Sequence, residues 1–467
     1  MTDTDPALMS AEELLAHYAR RDLSPVEMLK AVTERIVRLN PEINAFAVMN
    51  PSSLEAAGES EARWRAGRPR GVLDGVPVTV KDLVDVAGLP TRRGSRLTDP
   101  APVAEDAPCV LGLRLQGAVV IGKTTTTEFG WKSPGDCPLH GITRNPWNKL
   151  HSAGGSSSGA AAAAAAGFGP LHVGTDAGGS IRIPAAWSGV VGLKPSFGRV
   201  PQWPLGAFAP VAVAGPIART VRDAALMLSA MAGFDVRDPF CLPPECHGER
   251  DWRAGIEDGV AEMRVAVLRR PGFEAPVDWE GIAAVEQAAR LLMEAGAEVE
   301  EVDPDLPDTR AIFSRLWGVA LACLVSGFPE TRRHMLDPGL VAVAKAHEGV
   351  PATAIIELEA QRIAAAHAMA RLHQRYDLVL CPTVPGLAPL ADAPPGDPVE
   401  ALWTSWAPWT FAFNLTRQPA IAVPMGFAAN GLPRSVQIAA ALYRDDLVLR
   451  AARTLEVAQP FATPELG

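Results

Sequence analysis

The amino-acid sequence predicts an α/β fold. Three observations carry this expectation: short β-branched runs alternate with helical patterns from about residue 70 onward, 48% of residues are hydrophobic against 21% charged, and 467 residues are enough to bury a large core. Usual domain sizes divide such a length into about two or three domains, or one elaborated one.

Ser10 with Glu13, and Ser24-Pro25 with Glu27, both spell capping boxes, the second with proline at the first helical position. They predict two opening helices. The second carries Leu29, Val32, Ile36 and Leu39 on one stripe and is expected to stop around Asn40-Pro41. Residues 1–68 thus read as an N-terminal helical segment that packs on the body of the chain or on a second copy, with a homodimer the form the latter would take. Beyond it, strands are expected at Val76 to Val80, Val119 to Ile121, Gly189 to Leu193, Val265 to Leu268, Leu378 to Leu380 and Ala420 to Val423. Between them the seven alanines from Ala160 to Ala166 predict a tightly packed helix. Asp278 caps a later helix that turns Ile282, Val285, Ala289 and Leu292 inward and ends at Gly296. Ala391 to Pro398, rich in proline and aspartate, predict a surface loop.

A net charge of -10 repels phosphate backbones and anionic membrane surfaces, which argues against nucleic acid and membrane partners. The six cysteines are scattered without a CxxC pair or zinc-ligand spacing, so reduced thiols and no metal are expected. Met1 to Asp5 lack the basic start of a secretory signal, and no stretch approaches the ~20 uninterrupted apolar residues that cross a bilayer. A cytoplasmic location is the simplest expectation.

Two motifs mislead. Gly117 to Thr124 matches GxxxxGK[ST], but the four residues between the glycines are themselves strand-like, whereas a phosphate cradle needs curled backbone after a strand. Gly155-Ser156-Ser157-Ser158-Gly159 matches GxSxG, which would make Ser157 the nucleophile of an α/β-hydrolase-type esterase with a downstream histidine such as His172, His334 or His373. That elbow must follow a hydrophobic strand, and Asn148 to Ala153 are polar and turn-forming.

Three segments remain: Gly75 to Asp82, Gly154 to Gly159, and Gly174 to Pro184, which hold Lys81, Ser156 and Ser180. Lysine can serve as the base for a serine only when neutral, and burial without a carboxylate partner would lower its usual pKa of about 10.4. Lys81 ends an apolar strand, so its side chain and that of Asp82 should face opposite ways. The glycines around Ser180 suit a nest of backbone N–H groups that could hold an oxyanion.

Together these segments resemble the amidase signature family, whose lysine, bridging serine and nucleophilic serine are spaced as here, with 75 residues from Lys81 to Ser156 and 24 from Ser156 to Ser180. Thr143 to Trp147, Gly192 to Pro195, Asn414-Leu-Thr and Pro419 to Pro424 extend the match, which is close over about residues 70–235, looser over about 375–455 and faint over 236–374. Ser158 stands where the common form of the serine cluster has glycine. The resemblance implies a large mixed central β-sheet covered by helices on both sides, a catalytic domain over 69–460, and a variable, substrate-determining region around 236–374. It implies a carboxamide hydrolase without a cofactor, acting on a small-molecule amide through an acyl-enzyme. Ser180 is then the nucleophile, Ser156 the proton relay behind a cis Gly155–Ser156 bond, and Lys81 the base. The amides of Ala177, Gly178, Gly179 and Ser180 would hold the oxyanion, Asp176 and Arg182 would brace that loop, and Ser157 would support it. Trp131 aligns near acyl-pocket positions, which points to an apolar or aromatic acyl group, with Trp203, Trp403 and Phe411 as further candidates. An alternative within the family is the amidase component of a tRNA-dependent amidotransferase, although Thr127 to Ser133 lacks that component's methionine-rich start.

Overall fold

Short strands, most of them buried on both faces, build one large sheet. The computed structural model describes residues 5–246, 251–393 and 407–466. Its strands are β1 (Phe46–Met49), β2 (Pro77–Lys81), β3 (Val119–Thr124), β4 (Asp136–Cys137), β5 (Gly141–Ile142), β6 (Arg144–Asn145), β7 (Asn148–Ser152), β8 (Leu171–Asp176), β9 (Val191–Lys194), β10 (Val213–Ala218), β11 (Arg264–Leu268), β12 (Glu298–Val302), β13 (Leu378–Pro382), β14 (Ala420–Phe427) and β15 (Pro433–Ala440). Eleven of them form one sheet in the order β1-β3-β2-β8-β10-β9-β14-β15-β13-β11-β12, while β4–β5 and β6–β7 are separate hairpins. The sheet is mixed: β3, β2 and β8 run parallel, as do β13, β11 and β12, and the remaining pairs are antiparallel.

Helices cover both faces. Val78, Val80, Leu171, Val173, Val265 and Val267 point to one core, packed by the helices Pro108–Leu115, Val221–Met231, Trp279–Glu294 and Asp445–Ala458. The period-two alternation sends Thr79 and Lys81 to the opposite face. There Thr79 Oγ1 meets His172 Nδ1 at 2.8 Å, and the helices Ser158–Ala165 and Arg182–Ser188 pack over the sheet.

The predicted elements are present with adjusted ends. All six expected strands form, but the run from Gly189 starts only at Val191, because Gly189 is the left-handed cap (φ 66°) of the preceding helix. Both capping boxes are made. The second helix does not stop at Asn40-Pro41; it carries the proline within its last turn to Ile43 and ends at the left-handed Asn44. Leu29, Val32 and Ile36 are buried against Val119, Ile121, Ala162, Ala163 and Phe168, so the chain's own body covers this stripe. The helix after Asp278 is rotated from its expected face: Ala284, Val285, Ala288 and Leu292 are buried, while Ile282 is 40% exposed. Residues 394–398 of the expected proline-rich loop lie outside the described residues.

Every residue of the alanine helix is buried. Side chains no larger than a methyl let it sit close to the sheet, and Gly159 has no room even for that: a Cβ there would lie 2.2 Å from the Ala45 carbonyl oxygen and 2.5 Å from the Thr125 nitrogen. This contact fixes where the Gly154–Ser157 turn leads into the helix. The helix Thr309–Ser326 is the one element among the described residues long and apolar enough to cross a membrane, which the sequence alone did not suggest. Its Ile312, Phe313, Trp317, Leu321 and Val325 are buried in an aromatic-rich core cluster.

Candidate active site

The three sequence-predicted residues come from the ends of two neighbouring parallel strands and the turn between them. Lys81 is the last residue of β2, Ser180 follows the end of β8, and Ser156 lies in the turn before the alanine helix. This is the carboxyl edge of the parallel strands, where open α/β sheets bind ligands. Lys81 is fully buried, and its Nζ lies 2.8 Å from Ser156 Oγ. It also donates to Thr175 Oγ1 at 2.9 Å and to the Thr175 carbonyl at 3.3 Å. Burial pushes the Lys81 amine well below its ordinary value, and the negative charge of Asp176 only partly opposes this. A neutral amine has two N–H groups and one lone pair. In that form Thr175 can accept both N–H groups, which would leave the lone pair for the Ser156 hydroxyl proton.

Asp82 does not neutralise that amine. It turns away and pairs with Lys123 at 2.8 Å, both side chains being buried. Lys123 also donates to the Pro90 carbonyl and to Thr91 Oγ1, and it stands within β3, so the GxxxxGK[ST] motif is a strand and not a phosphate loop.

Ser156 and Ser180 line one cavity, and Ser180 is 7% exposed. Among the described residues no hydrogen bond joins their hydroxyls, so the Lys81–Ser156 link is formed and the Ser156–Ser180 link is open. The Gly155–Ser156 peptide is cis, as the resemblance implied. Ser157 is not available as an elbow nucleophile: its buried hydroxyl donates to the Thr175 carbonyl at 3.2 Å and accepts from the Thr175 amide at 3.3 Å, while its own amide donates to the Ser180 carbonyl. The preceding β7 is a strand, contrary to the turn expected there, but it belongs to a two-stranded hairpin outside the main sheet. Among the described residues no histidine lines the cavity.

Asp176 and Arg182 hold the loop that carries Ser180. Both are fully buried and form a two-pronged ion pair with both contacts at 3.0 Å. Burial alone would raise the Asp176 carboxyl, but the Arg182 guanidinium, with Lys194 and Asn414, holds it well below the usual carboxylate range. Arg182 reaches on to the Thr410 carbonyl, Gln437 Oε1 and Asn414 Oδ1, and Thr410 Oγ1 donates to the Gly178 carbonyl at 2.6 Å. The expected set of oxyanion donors needs one correction. The Gly179 amide already donates to Asp176 Oδ1 at 2.7 Å, which closes the loop, whereas among the described residues the amides of Ala177, Gly178 and Ser180 have no such partner.

The cavity wall also differs from expectation. Trp131 is buried and does not line the cavity; its carbonyl accepts from Trp317 Nε1 at 3.2 Å, and Trp317 lines it instead. Phe208 stacks on Trp317 with ring centroids 3.8 Å apart, and Phe129, Leu83 and Leu324 complete the apolar wall. Trp203 is exposed and Phe411 is fully buried, neither lining the cavity, and Trp403 lies outside the described residues. Sequence reasoning therefore missed Thr175, Thr410, Gln437, Phe208 and Trp317. Thr175 lay inside a motif already singled out, but the others carry no local signal.

Residues 27–449 match the family model described as Amidase. The chain is 36% identical over 471 residues to an acylamidase of Rhodococcus erythropolis, covering 99% of this chain and 98% of that protein. It is 33% identical over 483 residues to a component of the glutamyl-tRNA(Gln) amidotransferase of Methylococcus capsulatus, covering 97% of each. A solved bacterial aryl acylamidase of the amidase signature family shares the fold with a TM-score of 0.89 and 30% identity, over 97% of this chain and 96% of that one. The buried lysine–serine pair, the mixed sheet and these similarities agree: the chain belongs to the amidase signature family of amide-cleaving hydrolases.

Proposed function

We propose that the chain hydrolyses small carboxamides with an apolar or aromatic acyl group, using Ser180 as nucleophile, Ser156 as relay and neutral Lys81 as base. The observation that carries this reading is the buried amine 2.8 Å from Ser156 Oγ, with no carboxylate bonded to it among the described residues. Ser180 Oγ attacks the amide carbon while its proton passes to Ser156 and the Ser156 proton passes to Lys81. The carbonyl oxygen becomes an oxyanion facing the amides of Ala177, Gly178 and Ser180, each donor of this kind contributing about 3 kcal/mol to the transition state. Lys81 returns its proton through Ser156 to the departing nitrogen, the C–N bond breaks, and an acyl-Ser180 ester remains. Water, deprotonated by the same relay, then releases the carboxylic acid and restores Ser180.

The stacked Phe208 and Trp317 support the apolar acyl preference, and the similarity to acylamidases points the same way. Labelling with a fluorophosphonate followed by peptide mapping tests the assignment: adduct on Ser180 that disappears in Ser180→Ala is expected, and adduct on Ser157 would overturn it. Likeness to an amidotransferase component favours a second reading, in which the chain needs partner proteins. Release of amine from simple anilides by the purified chain alone separates the two, since no turnover without partners would support the second.

A further inference from the structure

The cavity holds one charged group that the proposed mechanism does not use. Arg93 lines it beside Phe129, and among the described residues its guanidinium has neither a hydrogen-bond acceptor nor an ion-pair partner. The other charges at the site are engaged: Arg182 is paired with Asp176, and burial disfavours the charged form of the Lys81 amine, which is bonded to Ser156 and Thr175. The adjacent Arg92 differs, donating from Nε to Thr98 Oγ1 at 3.2 Å.

Arg93 is also held in place. Its amide donates to the Asp82 carbonyl at 3.0 Å, one residue beyond Lys81, and its carbonyl accepts from the Phe129 amide at 2.8 Å. These bonds keep it in the left-handed region (φ 53°), a conformation that costs a side-chain-bearing residue free energy and that glycine would take freely. An arginine there, between Lys81 and an aromatic wall residue, places a fixed positive charge in a half-buried cavity where salt screens it less than at the open surface.

Resting on the amidase reading above, we propose that Arg93 is a specificity-determining residue that binds a carboxylate on the substrate, so that the preferred amides combine an aromatic group with an anionic substituent. The planar guanidinium fork suits two-pronged carboxylate recognition. The aromatic part packs on Phe208 and Trp317.

A mutant cycle with nitro groups as neutral isosteres of carboxylate tests this. One matched pair carries 4-carboxy or 4-nitro on a phenylacetyl acyl group, and the other carries the same substituents on an acetanilide leaving group. Intrinsic reactivity cancels when the carboxylate-to-nitro ratio of kcat/KM is compared between wild type and Arg93→Met. At least a tenfold fall of that ratio in one pair is expected, with part of it retained by Arg93→Lys and a weaker wild-type ratio at high ionic strength. Turnover of the nitro substrates with ratios that Arg93→Met leaves unchanged in both pairs would overturn the proposal while the amidase reading stands. If the wild type turns over none of the four substrates and takes no fluorophosphonate on Ser180, both fall together.

Discussion

Lys81 illustrates how burying one amine costs stability. Its amine titrates below the ordinary lysine value of about 10.4 when folded and near it when unfolded. Between these two values the unfolded chain holds a proton that the folded chain lacks, so the contribution of Lys81 to stability improves as pH rises through that window. Chemical denaturation should therefore show the stability of wild type relative to Lys81→Met improving toward about pH 10. Activity follows the same titration: kcat/KM should fall as acid charges the amine, because a protonated amine has no lone pair for the Ser156 proton. Loss of the base should lower kcat by ~10²–10⁴-fold in Lys81→Met, and Lys81→Arg, charged at every accessible pH, should not restore it. Arg182 acts differently, by geometry. Arg182→Ala would leave the Asp176 carboxylate buried and unpaired, and should destabilise the fold by about 3–5 kcal/mol in denaturant unfolding.

The alanine helix Ser158–Ala165 sets the position of Ser156, because its close seat on the sheet leaves the turn before it no freedom. Gly159→Ala would drive a methyl group into the Ala45 carbonyl and the Thr125 backbone, which are main-chain atoms that cannot swing aside. A loss of about 1–3 kcal/mol is expected by thermal or chemical unfolding, with a fall in kcat as Ser156 shifts. The strand β2 works by alternation. Val78 and Val80 bind the strand to one core, which forces Thr79 and Lys81 onto the other face, beneath the helices that exclude water from the amine.

Across the molecule, the region 236–374 is not a separate appendage, since it supplies β11 and β12 to the central sheet. Its helix Thr309–Ser326 contributes Trp317 and Leu324 to the cavity wall, against Phe208 from a loop about a hundred residues earlier. The cavity wall is thus assembled from distant segments, while Lys81, Ser156 and Ser180 lie at the β2–β8 edge. Trp317→Ala should lower kcat/KM for aryl-acyl amides relative to short aliphatic ones by about tenfold, as expected for one lost aromatic contact, without changing the site of fluorophosphonate labelling.

The sequence by itself determined the fold class, the opening helices and six strand positions, and it singled out Lys81, Ser156 and Ser180, which the structure brings to one edge of the sheet, because each is written in local periodicity or in motif spacing. It did not reveal β8, where His172, Gly174 and Asp176 interrupt the apolar run, nor β12, an acidic edge strand that needs only one apolar face. Nor could it choose Trp317 over Trp131 for the cavity wall: both are tryptophans in apolar surroundings, and which one faces the ligand depends on how the helix Thr309–Ser326 docks. The commitment of the Gly179 amide to Asp176, the engagement of Ser157 by Thr175 and the lack of a partner for the Arg93 guanidinium among the described residues were likewise decided by the tertiary structure alone. Hydrogen bonds and burial at the site join residues far apart along the chain, and local spacing carries no information about where such partners end in space.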